Sequence, residues 1–189
     1  MKILHLAFAG ALTFASWTGA ALAQSADNVL TITLKDGPVV VELRPDIAPK
    51  HVEQIKALAA AGEYDNVAFH RVIEGFMAQT GDVQFGDMED GFNAGRAGTG
   101  GSKLPDLPAE FSKVPFERGV VGMARSQDPN SANSQFFIMF ADYPPLNGEY
   151  TVVGKVVSGM ELVDKIKRGD GGNGEVSDPD RMIKVTVGK

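Results

Sequence analysis

Apolar residues and threonine alternate from Leu30 to Leu34 in "NVLTITL" (28–34), a Val-rich run "PVVVEL" (38–43) follows, and "KDG" separates the two. Strand-type runs on either side of a Gly-ended turn predict a β-hairpin. The period then changes. Pro49 suits a first helical position, Val52, Ile55, Leu58 and Ala59 recur at helical spacing, and Gly62 suits the stop. A second helix is predicted over 160–168, with Leu162, Val163 and Ile166 facing inward. Strand-type runs lie at 69–73, 76–80, 119–124, 135–140, 151–157 and 181–187. Loops containing Gly and Pro fill 84–108, 126–134, 141–149 and 169–180. No repeat and no domain linker interrupts the pattern.

Many short strands with two well-separated helices do not alternate as βαβ units would. Closing an antiparallel sheet removes its edges, and two amphipathic helices can cover the open ends. The expected fold is therefore all-β (mainly β): a closed antiparallel barrel of about eight strands capped by two α-helices. It forms one domain over residues 24–189, a size that supports a full core. Ahead of it, Lys2 precedes an uncharged run from Ile3 to Ala23 that closes on "ALAQ". That pattern reads as a secretory signal peptide, residues 1–23, with the mature chain starting at Gln24. An uncleaved anchor is the other reading, but Gly10, Thr13, Ser16, Thr18 and Gly19 make the run a poor span. No stable membrane insertion is expected after cleavage, and a monomer is expected.

Charge and composition narrow the chemistry. The formal charge is −6, and −7 without Lys2, which argues against nucleic acid as a partner. The absence of Cys removes disulfide and thiol chemistry. "GRAGTGGSK" (95–103) lacks the Gly-Lys-Ser/Thr order of a phosphate loop and no apolar strand feeds it. "DMEDG" (87–91) and "DGGNGEVSDPD" (170–180) miss the offsets of a calcium loop. His51 and His70 are too few for a histidine-rich metal site. His51 is expected on an exposed stretch of the first helix. His70 is expected to be a satisfied structural histidine rather than a base. Ser134 lacks a nucleophile elbow.

Two stretches remain. "FHRVIEGFMAQTGD" (69–82) sets Arg71 among apolar residues, and "GVVGMARSQDPNSANSQFFIMF" (119–140) places Met123, Phe136, Phe137 and Ile138 beside the amides of Asn133 and Gln135. A charge in such company is costly to desolvate without a partner or a task. Read from spacing alone, the two stretches are either plain core strands or the walls of an apolar cleft with a few fixed donors.

With "SQFFI" and "GKVVSGMELVDKI" (154–166), these motifs resemble the cyclophilin family of peptidyl-prolyl cis-trans isomerases over Thr31 to Val187. The "MAR" at 123–125 and the exported, Cys-free form are similar to bacterial periplasmic members, so the expected location is the periplasm. The resemblance implies an eight-stranded barrel, no cofactor and no metal. By motif position it implies that Arg71 is the catalytic arginine and that Gln79 supports it and the substrate carbonyl. Phe76, Met77 and Phe137 would wall the proline pocket, with Leu146 on its far side. Gln135 would line the same groove, Ala124 and Arg125 would hold the peptide backbone, and Tyr150 would complete the binding positions. Expected partners are proline-containing peptides and unfolded exported proteins. A proline-binding chaperone with little turnover is the alternative.

Four positions depart from the family pattern. Arg125 stands where many members have Asn, Tyr150 where many have His, and Thr80 where Gly is usual. Pro145 stands where many eukaryotic members have a tryptophan. Proline offers neither the indole donor nor its area, so cyclosporin binding is expected to be weak or absent. The loop at 86–103 is longer and richer in Gly than the family pattern, with no role implied.

Overall fold

The computed structural model describes residues 27–188; the expected signal peptide, 1–23, lies outside the described residues. The predicted hairpin forms from β1 (Val29–Leu34) and β2 (Gly37–Leu43), with Leu34 opposite Gly37. Alternation does what the pattern requires: Leu30, Ile32 and Leu34 are buried while Val29, Thr31 and Thr33 are half-buried. Helix α1 (Pro49–Ala60) follows, burying Val52, Ile55, Leu58 and Ala59, and Gly62 takes a left-handed φ of 77° just beyond its end.

The remaining strands are β3 (Val67–Ala68), β4 (Arg71–Ile73), β5 (Met77–Thr80), β6 (Val120–Met123), β7 (Phe136–Met139), β8 (Val152–Ser158), β9 (Arg181–Met182) and β10 (Lys184–Val187). Eight of the ten form one antiparallel sheet in the order β10-β1-β2-β8-β6-β7-β5-β4. The mainly-β class and the strand number are as expected, but closure is not. The edge strands β4 and β10 do not pair; the sheet curls into a half-barrel. The outer edge of β4 is instead covered by the 169–176 segment: Val72 N–H donates to Gly174 C=O, Gly169 N–H to Val72 C=O, and Val176 N–H to His70 C=O. An edge satisfied by a loop no longer needs a closing strand. The short runs ahead of the two edge strands, β3 and β9, pair with each other as a separate ribbon.

The second helix is also shorter than predicted. Helix α2 spans Met160–Val163, and the chain then tightens, with Lys165 and Ile166 N–H bonding three residues back to Leu162 and Val163. Val163 and Ile166 are nevertheless buried as the spacing implied, and Leu162 packs against the core from a half-buried position.

The curled sheet separates two apolar clusters. Val72, Ala78, Val121, Phe136 and Ile138 face the main core with β1, β2 and α1. Met77, Phe116, Val120, Phe137, Met139 and Val152 form a smaller cluster on the other face. Residues of opposite parity on β5, β6 and β7 therefore go to different clusters, and the smaller one is the floor of the candidate site.

A distant carboxylate starts α1. Ala48, at the helix N-cap, has no side chain to cap the first turn. Glu110 Oε1 and Oε2 accept the N–H groups of Lys50 and His51 at 3.3 and 3.2 Å, and His51 Nδ1 lies 2.7 Å from Oε2. His51 is thus fully buried rather than exposed, because the 110 segment lies across the turn that carries it. Burial alone would raise the Glu110 carboxyl, but these bonds outweigh it and hold it below the usual carboxylate range. Glu110→Ala should lower stability by about 1.5–3 kcal/mol at neutral pH. A carboxylate with a depressed native pKa contributes its stability above its ordinary value, about 4.3, and loses it as pH falls through the lowered one. Denaturation curves of wild type and Glu110→Ala should therefore converge in acid. A gap that stays constant through that range would contradict the capping role.

Candidate active site

One rung of the sheet assembles the polar edge and the apolar floor. Arg71 on β4 pairs with Gln79 on β5, Gln79 with Phe137 on β7, and Phe137 with Gly122 on β6. Side chains at one parity of neighbouring strands share a face, so Arg71, Met77, Gln79 and Phe137 emerge together. Ala78 and Thr80 turn to the other face, where the Thr80 hydroxyl donates to Ala68 C=O at 2.8 Å.

The result is a cavity of about 200 Å³ lined by Arg71, Phe76, Met77, Gln79, Ala124, Arg125, Phe137, Leu146 and Tyr150. Gln135 lines an adjoining cavity of about 260 Å³, which shares Gln79, Ala124 and Arg125 with the first. All ten residues singled out from the sequence are brought together in this one groove. A somewhat larger hollow, about 290 Å³, lies beside Leu34, Leu162 and Ile183, away from these donors, and collects no comparable set.

The apolar slot is built around a missing side chain. Phe116 stacks on Phe137 with ring centroids 5.8 Å apart, and Tyr150 meets both edge-on. A Cβ at Gly122 would lie 2.6 Å from both phenylalanine rings, so glycine is required for this stack to reach the sheet. Leu146 closes the far side from a 3-10 turn, Pro144–Leu146. That turn is tied to Phe116 twice: Phe116 N–H donates to Asn147 Oδ1 at 2.7 Å, and Tyr143 N–H to Phe116 C=O at 2.8 Å.

A chain of hydrogen bonds fixes the polar edge. Arg71 Nε donates to Asn173 C=O at 2.8 Å and Nη1 to Gln79 Oε1 at 3.3 Å. Gln79 Nε2 donates to Gln135 Oε1 at 3.0 Å, and Gln135 Nε2 to Gly100 C=O at 2.8 Å. Gly100 itself is anchored by Asp82, a fully buried carboxylate. Its Oδ2 accepts Gly98 and Gly100 N–H at 2.7 and 2.9 Å, and its Oδ1 accepts Gln84 and Phe85 N–H at 3.1 and 2.9 Å. The Gly-rich loop thus carries one end of the chain that ends at Arg71. Among the described residues Arg71 Nη2 has no protein partner, so its N–H groups are left for a ligand.

The opposite edge is also open. Ala124 N–H donates to Gln135 C=O, but among the described residues no hydrogen bond within the protein uses Ala124 C=O or the main-chain N–H and C=O of Arg125. Such an edge accepts an extended peptide. The Arg125 guanidinium lies 4.5 Å from the centroid of the Tyr150 ring, so these two departures from the family pattern pack on each other.

The family model for cyclophilin type peptidyl-prolyl cis-trans isomerase/CLD matches residues 29–187. A probable peptidyl-prolyl cis-trans isomerase of Brucella suis biovar 1 (strain 1330) is 63% identical over 191 residues, covering 99% of this chain and 97% of the relative. The chain belongs to the cyclophilin-type peptidyl-prolyl cis-trans isomerases. An Arabidopsis thaliana cyclophilin-type isomerase is 38% identical over 161 residues, covering 84% of this chain and 94% of that one. The crystal structure of a Hirschia baltica cyclophilin superposes with a TM-score of 0.72 at 25% identity, over 92% of this chain and 81% of that one. A Cryptosporidium parvum cyclophilin, crystallised in the presence of the dipeptide Ala-Pro, superposes with a TM-score of 0.70 at 28% identity, over 85% and 99%.

Within this cyclophilin, several supporting residues had no sequence signal. Asn173 holds Arg71 through a main-chain carbonyl, which no side-chain pattern marks. Phe116 sits in an irregular segment with no period. Tyr143 packs on Phe76 at 4.6 Å from a loop. His70 is buried but is not the satisfied histidine expected: among the described residues neither ring nitrogen is hydrogen-bonded, and burial pushes its imidazole pKa down. It lines neither cavity. Among the described residues no cluster of His, Cys, Asp and Glu could hold a metal ion.

Gly100 offers a test of the hydrogen-bonded chain. A Cβ there would lie 2.4 Å from Asp82 Oδ1 and 2.8 Å from atoms of Gln84 and Phe85. Gly100→Ala should move the carbonyl away from Gln135 and lower turnover, by up to about 100-fold for a displacement of ~1 Å. Affinity for a proline peptide, set by the apolar slot, should change much less. Wild-type turnover in this variant, measured by coupled peptide kinetics, would show that the loop does not position the catalytic edge.

Proposed function

We propose that this isomerase turns X-Pro bonds with Arg71 as the donor that stabilises the twisted state, and that it assists the folding of exported proteins. Rotation about a peptide bond faces a barrier of about 18–20 kcal/mol because twisting removes amide resonance. In the twisted state the prolyl nitrogen regains its lone pair and becomes an acceptor. A donor placed beside it binds that state better than either planar one, which is what lowers a barrier. The observation that carries the reading is the Arg71 guanidinium, pinned by Asn173 and Gln79, with Nη2 unpartnered among the described residues and lining an apolar slot. The Ala-Pro dipeptide of the Cryptosporidium parvum crystals supports a proline-containing ligand.

Arg71 cannot supply the whole effect. An acceleration of ~10⁵ needs about 7 kcal/mol, and a hydrogen bond to a charged group contributes about 1.5–3 kcal/mol. The slot of Phe76, Met77, Phe137 and Leu146 seats the ring and excludes water, which strengthens the arginine's bond. Gln79 and Gln135 orient the guanidinium and the substrate carbonyl, while the Ala124–Arg125 edge holds one flank. No nucleophile and no proton transfer are needed.

X-Pro isomerisation takes tens of seconds or more unaided and limits folding, so a compartment that receives unfolded chains benefits from the activity. Residues 1–23 support export to the periplasm. Trp17, the only tryptophan, lies in that segment, so protein recovered outside the cytoplasm should show tyrosine emission alone. Tryptophan emission from that fraction would refute cleavage near Ala23.

Residues 24–189 should accelerate the proline-limited refolding of a substrate protein. Arg71→Ala should lower that acceleration about 10²–10³-fold with a much smaller change in peptide affinity. Phe137→Ala should weaken peptide affinity through lost apolar area. Peptide binding without acceleration by the wild type would favour a binding chaperone, and a fully active Arg71→Ala would end the role assigned to Arg71.

A further inference from the structure

The chain is acidic, yet its groove is not. The two adjoining cavities are lined by Arg71 and Arg125 and by no Asp or Glu, while the chain as a whole has a formal charge of −6. The pairing of the seven arginines sharpens the contrast. Arg44, Arg118, Arg168 and Arg181 each form an ion pair with a carboxylate. Arg96 lies over the Phe85 ring in the Gly-rich loop. Arg71 and Arg125, the two in the groove, make no ion pair among the described residues.

Arg125 is held in place without being neutralised. Its Nε and Nη2 donate to Glu149 C=O at 3.2 and 3.0 Å, and Nη1 donates to Ser126 and Gln127 C=O at 2.9 and 3.4 Å. The Tyr150 ring backs it at 4.5 Å. Every partner is a carbonyl or a ring, so the full charge remains and its geometry is fixed in advance. Among the described residues no carboxylate is ion-paired with Arg125: Asp106 accepts Asn133 Nδ2, Asp128 accepts Asn130 N–H, and the exposed Glu175 carboxylate senses the charge of Arg71 instead. Glu149 contributes only its main-chain oxygen, and its side chain lines neither cavity.

Arg125 belongs to both cavities, at the junction between the ring slot and the neighbouring hollow. Seating a proline ring needs no cation there. We infer that Arg125, backed by Tyr150, selects substrates carrying an Asp or Glu side chain on the flank of the proline that runs along the Ala124–Arg125 edge. This rests on the groove being the proline-peptide site proposed above. A carboxylate on that flank meets a fixed, unpaired cation, whereas a Lys meets like charge at a partly exposed site.

The test is a peptide series with Glu, Gln or Lys at each of the two positions before and after one proline, read as kcat/KM at low and high salt. The Glu-to-Lys ratio should reach on the order of tenfold at positions on one flank, consistent with a partly exposed ion pair gained and a repulsion lost. It should shrink at high salt. In Arg125→Gln the ratio should fall towards one, and Arg125→Lys should keep part of it. Each ratio is internal to one protein, so a change in folded fraction cancels. A ratio near one at every position in the wild type, or a preference that survives in Arg125→Gln, would overturn the inference. Calorimetric affinities of the same peptides read the charge preference independently of turnover. Absent turnover with an intact Glu preference would sink the isomerase mechanism but not the selectivity.

Discussion

A buried Asp82 carboxylate that accepts four main-chain N–H groups is the constraint on which the site depends. A buried charge is tolerated only when its lone pairs are filled; here the following turn supplies Gln84 and Phe85 N–H, and the Gly-rich loop bends back over residue 82 to supply Gly98 and Gly100 N–H. That bend sets the Gly100 carbonyl, which sets Gln135, then Gln79, then Arg71. A flexible side chain is thereby converted into a donor of fixed direction. The entropy of ordering the guanidinium is met during folding rather than at each turnover.

The apolar half of the groove has a different origin. It is the outer face of the same strands whose inner face builds the main core, so the sheet's two parities divide stability from chemistry. Ala78, Phe136 and Ile138 belong to the core, and Met77, Gln79 and Phe137 to the site. Gly122 lets two phenylalanine rings approach the sheet closely enough to make a slot rather than a mound. A cation beside a water-poor slot has a stronger electrostatic effect than the same cation in solvent; in the proposed reading Arg71 serves the reacting bond and Arg125 the flank.

What could be read from the chain was whatever expresses itself as period or motif. The hairpin of β1 and β2, the inward face of α1 and the residues of the groove all lie in such stretches. Barrel closure could not be read, because it depends on whether the edge of β4 meets β10 or the 169–176 loop, and that loop shows no strand pattern. The extent of α2 was overestimated because Ile166 keeps helical spacing while its backbone has already tightened. His51 was misplaced because its burial comes from Glu110, far along the chain, rather than from its own helix. Asn173 and Gly100 act through carbonyl oxygens, which every residue has. The Arg125–Tyr150 pair appeared in the sequence only as two separate departures from the family pattern; its meaning required the 4.5 Å between them.

The central claim is that catalysis comes from a guanidinium held in one geometry, not from positive charge alone. Arg71→Lys separates the two, since lysine keeps the charge but carries its donors on one tetrahedral nitrogen instead of a planar fork, so it does not present an N–H in the same direction. Exchange NMR on a proline peptide bound to each protein measures the rate of cis-trans interchange on the enzyme apart from the dissociation constant. The account predicts similar affinity and an interchange rate lower by on the order of 10²-fold in Arg71→Lys. Interchange at the wild-type rate in that variant would contradict it.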